Sequence, residues 1–386
     1  MFRMKKIYMD YSGTTPTDSQ VVEAMLPFFS GTFGNPSSLH YHGQEAANAL
    51  EKSRKTIADA LGVSSNEIIF TSGGTESDNL AIKGVAFANM DKGKHIITSS
   101  IEHHAVINTC KWLEKQGFEV TYLPVDKYGL VRKSDLENAI RKDTTLVSVI
   151  YASNEIGTIQ DIKGLSRICK RHGVYFHTDA VQAFGKIKLD MKNVDLLSLS
   201  AHKLYGPRGV GALFVRNGTK IEPILHGGGQ EAGLRSGTEN VAGIVGFAKA
   251  VKLFANDEKE MARQTKLRDK LISEVLKMDN VLLNGHPVRR LPNNANFSFR
   301  FIEGESLVIM LNDAGISAST GSACSSKSLE PSHVLLAIGL SPEDAHGSLR
   351  ITIGKGTSTE NIYYLLEVLP LIVARLRKIS PFKKGW

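Results

Sequence analysis

Short apolar runs of strand length alternate with helix-like segments through the first two-thirds of the chain. The runs are four to six residues long and occupy 67–70, 95–98, 118–123, 146–151, 174–177, 196–199 and 210–215. Segments with helical periodicity separate most of them, for example 105–116 and 162–171. This alternation predicts an α/β fold, with a mainly parallel sheet covered by helices on both faces. No helix separates the last two runs, so we expect that pair to be antiparallel.

The pattern changes near residue 255. A long charged helix is predicted over 256–277, and the later segments 296–301 and 349–353 alternate as half-buried strands do. We therefore expect two domains, a large one over 13–255 and a smaller α+β domain formed by 1–12 and 256–386. An N-terminal strand over 7–10 is expected to join the small domain or to bridge the two.

Composition places the chain among ordinary globular enzymes. It has 386 residues, of which 42% are hydrophobic and 22% charged, with a net charge of +8. The basic residues are dispersed, so we interpret the charge as a solvated surface and expect no nucleic-acid partner. Neither a signal peptide nor an apolar stretch long enough for a membrane is visible. Few cysteines and no CxxC pair favour the cytoplasm and argue against structural zinc.

Lys203 closes a short apolar strand and has small polar neighbours, which places its amine to form a Schiff base. Asp179 ends another apolar run earlier in the chain. Together they suggest a pyridoxal phosphate site, with the lysine on the aldehyde and the carboxylate on the pyridine nitrogen. The plain alternative is a surface lysine, which the surrounding Ser200, His202 and Gly206 argue against.

The segment Thr71-Ser-Gly-Gly-Thr-Glu-Ser-Asp-Asn-Leu80 follows a predicted strand and opens a predicted helix. Its glycines, including Gly74, would let the backbone approach an anion, and the first helical N–H groups would point at it. Thr75 and Asp78 have the spacing of a capping box. Two interpretations stay open, a phosphate site and a plain strand-to-helix turn.

Further polar side chains lie where predicted strands end. His103 follows one strand, Asn154 another, and Gln182 comes three residues after Asp179. Ligands of open parallel sheets bind at these carboxyl ends, so packing alone explains the group poorly. His103 could stack on a cofactor ring, although a structural histidine is the simpler explanation.

Two further residues are candidates for anion binding. Arg350 lies in the alternating segment 349–353, where an inward-facing guanidinium requires an anion such as a substrate carboxylate. Thr238 lies in the polar loop 235–239 and could contact phosphate, or the loop could simply cap a helix.

Cys324 is the only cysteine in 317–328, a serine-rich segment with no large apolar side chain. Such a segment should be mobile and leave the thiol exposed, either reactive or idle. Cys110 and Cys169 fall in helical patterns and are expected to be buried.

Taken together, the motifs Gly-Gly-Thr-Glu-Ser, Ser-Ala-His-Lys, Arg-Ser-Gly-Thr and Gly-Ser-Ala-Cys-Ser-Ser, in chain order, resemble the NifS/IscS class of cysteine desulfurases. The resemblance covers nearly the whole chain and implies the pyridoxal-phosphate-dependent transferase fold type I. It also implies a homodimer.

The resemblance implies a role for each candidate residue. Lys203 holds pyridoxal phosphate and acts as the base, Cys324 is the nucleophile, and Arg350 with Asn154 holds the substrate carboxylate. The remaining cofactor contacts that it implies are ring stacking by His103, the pyridine nitrogen at Asp179, the phenolic oxygen at Gln182, and phosphate at Gly74, Thr75, Ser200, His202 and, from the other subunit, Thr238.

The reaction implied is removal of sulfur from L-cysteine, giving L-alanine and a persulfide on Cys324. The sulfur would then pass to an acceptor protein for iron–sulfur cluster assembly or thiolation. No resident metal is expected, although Cys324 is a possible transient iron–sulfur ligand. The alternative is another enzyme of this fold, such as a selenocysteine lyase or a small-substrate aminotransferase.

Overall fold

The computed structural model describes residues 6–320 and 330–380. In chain order the strands are β1 (Ile7–Tyr8), β2 (Ile68–Thr71), β3 (His95–Ser99), β4 (Glu119–Leu123), β5 (Thr144–Ser148), β6 (Tyr175–Asp179), β7 (Leu196–Ser200), β8 (Gly211–Val215), β9 (Val281–Asn284), β10 (Asn294–Phe299), β11 (Ile316–Ser317) and β12 (Ser348–Thr352). The helices are α1 (Ser19–Met25), α2 (Pro27–Ser30), α3 (Tyr41–Leu61), α4 (Gly74–Ala88), α5 (His104–Glu114), α6 (Lys133–Ala139), α7 (Ile162–His172), α8 (Val241–Phe254), α9 (Glu258–Val275), α10 (Gly304–Asp313), α11 (His333–Ala337), α12 (Pro342–His346) and α13 (Thr359–Ile379).

A seven-stranded sheet in the order β2-β8-β7-β6-β5-β3-β4 forms the centre of the larger body. β8 is antiparallel to both β7 and β2, and the remaining neighbours are parallel. The predicted α/β class is therefore confirmed, as is the antiparallel pairing around the Lys203 loop. The connection between β7 and β8 is too short to contain a crossover helix. Lys203 therefore lies in a short turn at the edge of the sheet where the strands end.

Alternate residues of the sheet face two different helical layers. Leu197 and Phe214 pack into a core with residues of α3, α7 and α8. Leu196 and Leu213 face the opposite way, into a core with residues of α4 and α5 that includes the buried thiol of Cys110. Because both faces are covered, the strands consist largely of apolar residues rather than alternating apolar and polar ones.

The helix α3 illustrates how local sequence sets an element's end. Its apolar residues recur on one face and pack against α8. Gly62 follows it with a φ of 68°, and its N–H returns to the carbonyls of Ala58 and Asp59. Glycine adopts this left-handed conformation without strain, which explains why α3 ends at Gly62.

A second sheet, in the order β12-β10-β9, is antiparallel and packs against α9, α10 and α13 through a core around Phe297, Phe299 and Leu365. The prediction that β10 and β12 are half-buried strands is wrong, because every residue of both strands is buried. The polar face of β10 meets other polar groups: Asn294 and Asn296 donate to the carbonyl of Glu155 at 3.2 and 3.1 Å. The polar residues that alternate with apolar ones in β10 therefore face a hydrogen-bonded contact inside the protein and do not face solvent.

The N-terminal strand joins this second body. β1 pairs in parallel with β11, and Asp10 forms a bridge with Thr352 of β12. The apolar residues Ile7 and Met9 belong to the same core as Phe297. The chain then crosses to the large sheet within a few residues, so segment 10–15 lies between the two bodies. The domain limits at residues 12 and 255 stay a prediction.

In the part of the chain covered by 6–320 and 330–380, no helix has both the length and the apolar character needed to cross a membrane.

Gly211 generates a prediction about this architecture. A Cβ on Gly211 would lie 2.5 Å from the Leu199 carbonyl oxygen and 2.7 Å from Cα of Gly73, both main-chain atoms that cannot turn aside. We expect Gly211→Ala to lower the free energy of unfolding by about 1–3 kcal/mol, measured by denaturant titration. Gly229→Ala is the matched control, since nothing lies within 4 Å of its added Cβ. Equal denaturation midpoints for the two variants would show that a Cβ at position 211 is not crowded by these main-chain atoms.

Candidate active site

Lys203 ends a short 3-10 turn, Ala201–Lys203, directly after β7. Its Nζ donates to the carbonyl oxygens of Ser12 at 2.6 Å and Gly13 at 2.7 Å. The turn itself is fixed by Thr15, whose main-chain N–H and hydroxyl both donate to the His202 carbonyl, at 3.0 and 2.9 Å. The lysine amine is therefore held at the junction between the N-terminal segment and the end of the large sheet.

Asp179 ends β6, beside β7, and its carboxylate accepts the N–H of Val181 at 2.9 Å. Asp78 of α4 lies close behind it, and both carboxyl groups are buried. Burial raises the pKa of each, and the charge on Asp179 further raises the pKa of Asp78. The Val181 N–H and the charge of Lys203 both favour ionised Asp179. Asp179 is therefore the more readily ionised carboxyl group of the pair.

His177 packs behind the same pair. Its ring nitrogens lie 2.8 Å from the Ser148 hydroxyl and 3.0 Å from the Ser198 hydroxyl. Burial lowers the pKa of His177 to about 3, so the ring is neutral and supplies hydrogen bonds rather than charge. An uncharged ring therefore lies 3.7 Å from the Asp78 carboxyl group.

The amino end of α4 forms a concave surface beside Ser200. Gly73 precedes the helix with a φ of 154°, and no side chain among the described residues caps it. A Cβ on Gly74 would lie 2.8 Å from Val181 and 3.7 Å from Cβ of Ser200, so the helix end, the Asp179 turn and β7 meet here. The predicted capping box is wrong: Gly73 is the cap, exposed Thr75 is already helical, and Asp78 is buried.

His202 and Ser200 border this surface. Burial, with the charges of Lys203, Arg208 and Lys186, lowers the pKa of His202 to about 4. Its Nδ1 lies 3.0 Å from the Thr14 hydroxyl, which fixes the ring. The Ser200 hydroxyl oxygen is buried and has no hydrogen-bond partner among the described residues. An unsatisfied buried hydroxyl beside an uncapped helix end is what a phosphate group would satisfy.

His103 is the N-cap of α5 and accepts the Ala105 N–H on Nδ1 at 3.1 Å. Burial and the nearby charge of Lys203 lower its pKa to about 4. A neutral ring that accepts on Nδ1 carries its hydrogen on Nε2. His103 can therefore stack or donate from Nε2, and it takes up a proton on Nδ1 only by giving up the helix cap.

Gln182 lies one turn after Asp179, and its side chain is almost fully buried. Its Nε2 donates to the Ser12 carbonyl at 3.0 Å, the same oxygen that accepts Lys203. The predicted residues Asp179, Gln182, Ser200, His202 and Lys203 are therefore brought together with the helix end at Gly74.

Arg350 approaches from the second sheet. Its Nη1 donates to the Asn154 carbonyl at 3.1 Å, and its Nη2 pairs with Asp10 at 2.8 Å. The guanidinium therefore already has an anion within the chain, so burial alone does not require a substrate carboxylate, contrary to the sequence argument. Its buried Nε has no partner among the described residues and is available to one.

Two predicted site residues are not part of this group. Thr238 is exposed, in a loop tied back to α4 by the ion pair of Arg235 with Glu76 at 2.8 Å. Cys324 lies outside the described residues. The chain on either side of its segment is anchored near Arg350: Ser319 pairs with Arg350 through both main-chain hydrogen bonds, and Ser332 donates to buried Glu155 at 2.6 Å.

The contacts of segment 10–15 with Lys203 and Arg350 were not predicted from the sequence. Asp10 pairs with Arg350, Ser12 and Gly13 supply carbonyls, and Thr14 and Thr15 position the Lys203 turn. A signal was present, because Asp10-Tyr-Ser-Gly-Thr-Thr-Pro16 is a dense run of small polar residues directly after a strand. Such a run cannot form much core, so it is a candidate for main-chain and hydroxyl contacts.

Comparison with known proteins agrees with this geometry. A family model, Aminotransferase class-V, matches residues 7–365, and the chain belongs to this family. Proteins described as "Cysteine desulfurase IscS" are 59% identical in Methanosarcina thermophila, over 98% of this chain and 94% of that protein, and 57% identical in Dictyoglomus turgidum, over 99% and 98%. The predicted resemblance to the NifS/IscS class is thereby confirmed.

Solved structures agree as well. A "NifS-like protein" superposes with a TM-score of 0.90 at 40% identity, covering 96% of this chain and all of that one. "SspA in complex with cysteine" superposes with a TM-score of 0.81 at 41% identity, covering 90% and 99%. The fold-type expectation is confirmed by these matches.

Glu102, next to His103, generates a prediction about pH. It is buried and accepts the Ile150 N–H at 2.8 Å, and burial raises its pKa from 4.5 to about 8. Between those pH values the folded chain holds a proton that the unfolded chain loses, so stability falls as pH rises. We expect the melting temperature to fall less between pH 5 and pH 8 in Glu102→Gln than in the wild type. Exposed Glu305→Gln is the control, and identical slopes in all three proteins would refute the assignment.

Proposed function

We propose that this protein is a cysteine desulfurase that uses pyridoxal phosphate, removing sulfur from L-cysteine and releasing L-alanine. The observation that carries the proposal is the convergence of Lys203 and ionised Asp179 beside the uncapped end of α4. These groups match the three demands of the cofactor: an amine for its aldehyde, a carboxylate for its pyridinium and a cradle for its phosphate. Relatives of the NifS/IscS class support the substrate assignment.

The bound cofactor supplies an electron sink that stabilises negative charge at the substrate Cα. Asp179 is suited to hold the pyridinium, because the Val181 N–H and the charge of Lys203 favour its ionised form. Neutral His103 offers a flat face and an Nε2 hydrogen. Gln182 presents an amide N–H2 on the Lys203 side, since its Nε2 donates to Ser12.

Lys203 has two tasks in this proposal, to anchor the cofactor and then to move a proton at the substrate Cα. The carbonyls of Ser12 and Gly13 hold its amine in place when it is not anchored. They lie on the segment that also carries Asp10, the partner of Arg350. The same backbone segment therefore positions both the Lys203 amine and the Arg350 guanidinium that is proposed to bind the substrate carboxylate.

Substrate orientation is assigned to Arg350 and Asn154. The spare Nε of Arg350 provides a donor for a carboxylate. Glu155 is buried near this arginine, and burial raises its pKa to about 7, so at neutral pH it adds less negative charge than an exposed glutamate. That limits the repulsion that an incoming carboxylate would meet.

Cys324 is proposed as the sulfur acceptor. Its thiolate attacks the substrate sulfur, the C–S bond breaks, and Cys324 becomes a persulfide while a proton returns to the substrate to give alanine. Cys324 comes five residues after Ser319 in the sequence. Ser319 is hydrogen-bonded to Arg350, and a chain of five residues spans at most about 18 Å when extended, which supports the proposal that the Cys324 thiol reaches the substrate.

A homodimer is proposed on the basis of one apolar face. Large apolar side chains between α1 and the start of α3 are exposed: Leu26, Phe29, Phe33, Leu39 and Tyr41. The helices α1 and α2 pack on α8, which begins three residues after exposed Thr238. A second copy of the chain covering this face would bring Thr238 towards the partner's phosphate cradle, as the family resemblance implies.

The acceptor of the persulfide sulfur is proposed to be a separate protein, of cluster assembly or of thiolation. A cytoplasmic location is proposed because Cys110 and Cys169 are free and buried, as expected of a reducing compartment.

The nucleophile is tested by Cys324→Ala. We expect sulfide release from L-cysteine in the presence of a reductant to fall roughly 100-fold, because no thiolate remains to take the sulfur. Mass spectrometry of the wild type after L-cysteine should find one added sulfur atom on the Cys324 peptide. Cys169→Ala, which removes a buried free thiol, should retain both signals. Full activity in Cys324→Ala would overturn the assignment.

The dimer is tested by mixing two full-length variants, each altered at one of the two residues. In a heterodimer of Lys203→Ala with Thr238→Ala, one site combines intact Lys203 with the partner subunit's intact Thr238. We expect that site to bind pyridoxal phosphate as the wild type does, while the Thr238→Ala homodimer binds it about tenfold more weakly. The measurement is titration of the apo-protein followed by absorbance. Equally weak binding in the heterodimer would show that Thr238 acts within its own subunit.

A further inference from the structure

Lys186 is a buried lysine that the proposed reaction does not use. It lies one turn after Gln182, in the chain of turns that follows β6, and only 9% of the residue is exposed. Its Nζ donates to two oxygens of Gln182, the main-chain carbonyl and the side-chain Oε1, each at 3.1 Å. Burying an ammonium group is unfavourable unless other interactions compensate, so its position requires an explanation.

The hydrogen bonds of Lys186 determine which way the Gln182 amide faces. An ammonium group only donates, so the side of the amide that faces Lys186 must be its oxygen. The Nε2 group is then turned to the opposite side, where it donates to the Ser12 carbonyl at 3.0 Å. That carbonyl also accepts Lys203 at 2.6 Å. Lys186, Gln182, Ser12 and Lys203 therefore form one continuous hydrogen-bonded chain.

Lys186 also acts on Lys203 through its charge. Burial and the charge of Lys203 together lower the pKa of Lys186 to about 7, with no carboxylate of the described residues offsetting these effects. Interaction between two titrating groups is reciprocal, so a proton on Lys186 must equally oppose a proton on Lys203. Other ionisable groups that interact with Lys203 include the carboxylate of Asp179 and the neutral rings of His103 and His202.

We propose that Lys186 is a positioning residue for Lys203: it fixes the Gln182 amide with Nε2 towards the Lys203 amine, and its charge favours the unprotonated form of that amine. An amine must be unprotonated to attack an aldehyde, so this arrangement prepares Lys203 to receive its cofactor. The proposal deepens the proposed function and rests on it where the cofactor is concerned. Its electrostatic part concerns two lysines of the apo-protein and needs neither cofactor nor substrate.

The test measures the reactivity of Lys203 in the apo-protein. Trace labelling with acetic anhydride across a pH series, read by mass spectrometry of the Lys203 peptide, gives the midpoint at which the amine becomes unprotonated. We expect the midpoint to move upward by roughly half to one pH unit in Lys186→Met, because a neighbouring cation is removed. Lys186→Arg keeps a charged donor and should restore the wild-type midpoint. An unchanged midpoint in folded Lys186→Met would overturn the proposal.

A second measurement does not require a variant at Lys186. In apo Lys203→Ala, the labelling midpoint of Lys186 itself should rise by the same amount, because the interaction is reciprocal. A merely structural lysine would show no such shift. A midpoint for Lys186 that is identical in the wild type and in Lys203→Ala would also overturn the proposal.

The cofactor provides an independent readout. We expect Lys186→Met to bind pyridoxal phosphate about three- to tenfold more weakly, with rescue in Lys186→Arg, because the Gln182 amide is no longer fixed. Borohydride reduction of the reconstituted wild type, followed by peptide mapping, separates the two hypotheses. If no pyridoxyl group is found on Lys203, the proposed function fails. If it is found but the labelling midpoints do not move, only the role of Lys186 fails.

Discussion

The hydrogen bonds from Lys203 to the carbonyls of Ser12 and Gly13 are the contact on which the rest of the site depends. They join the end of β7 in the large sheet to the segment that leaves β1 in the second body. The same segment fixes the Lys203 turn through Thr15 and neutralises Arg350 through Asp10. A charged donor binding two carbonyl oxygens at short distance is among the stronger hydrogen bonds in proteins. The amine is thus a structural link in the apo-protein as well as the proposed reactive group.

Charge in the site is kept low by burial. Burial raises the pKa of Asp78 well above its usual range, and His103, His177 and His202 are all neutral at pH 7 because burial lowers their pKa values. A cofactor bearing a phosphate and a pyridinium would therefore meet one fixed carboxylate and a set of neutral donors. Preorganised neutral dipoles stabilise such a ligand without the desolvation penalty of burying more ions.

The parts of this arrangement that follow from local sequence were predictable. Strand–helix alternation, the stop at Gly62 and the antiparallel return around Lys203 each depend on a short window of residues. Long-range pairings were not predictable, because Asp10 and Arg350 are 340 positions apart. The prediction of a capping box at Thr75 and Asp78 was wrong for a different reason. The spacing of the two residues does not reveal that Gly73, with a φ of 154°, occupies the N-cap position. Lys186 was overlooked because nothing in its local sequence shows that it is buried.

The asparagine-rich face of β10 has a consequence for how the two bodies move. Asn294 and Asn296 contact the main-chain carbonyl of Glu155 through side-chain amide hydrogen bonds rather than through apolar packing. Separating a hydrogen-bonded interface exposes polar groups that water solvates well. Separating an apolar interface of equal area would instead expose hydrophobic surface. A small separation of the two bodies at these hydrogen bonds would therefore expose polar rather than apolar groups. A substrate could enter and leave beside Arg350 through such a separation while both bodies stay folded.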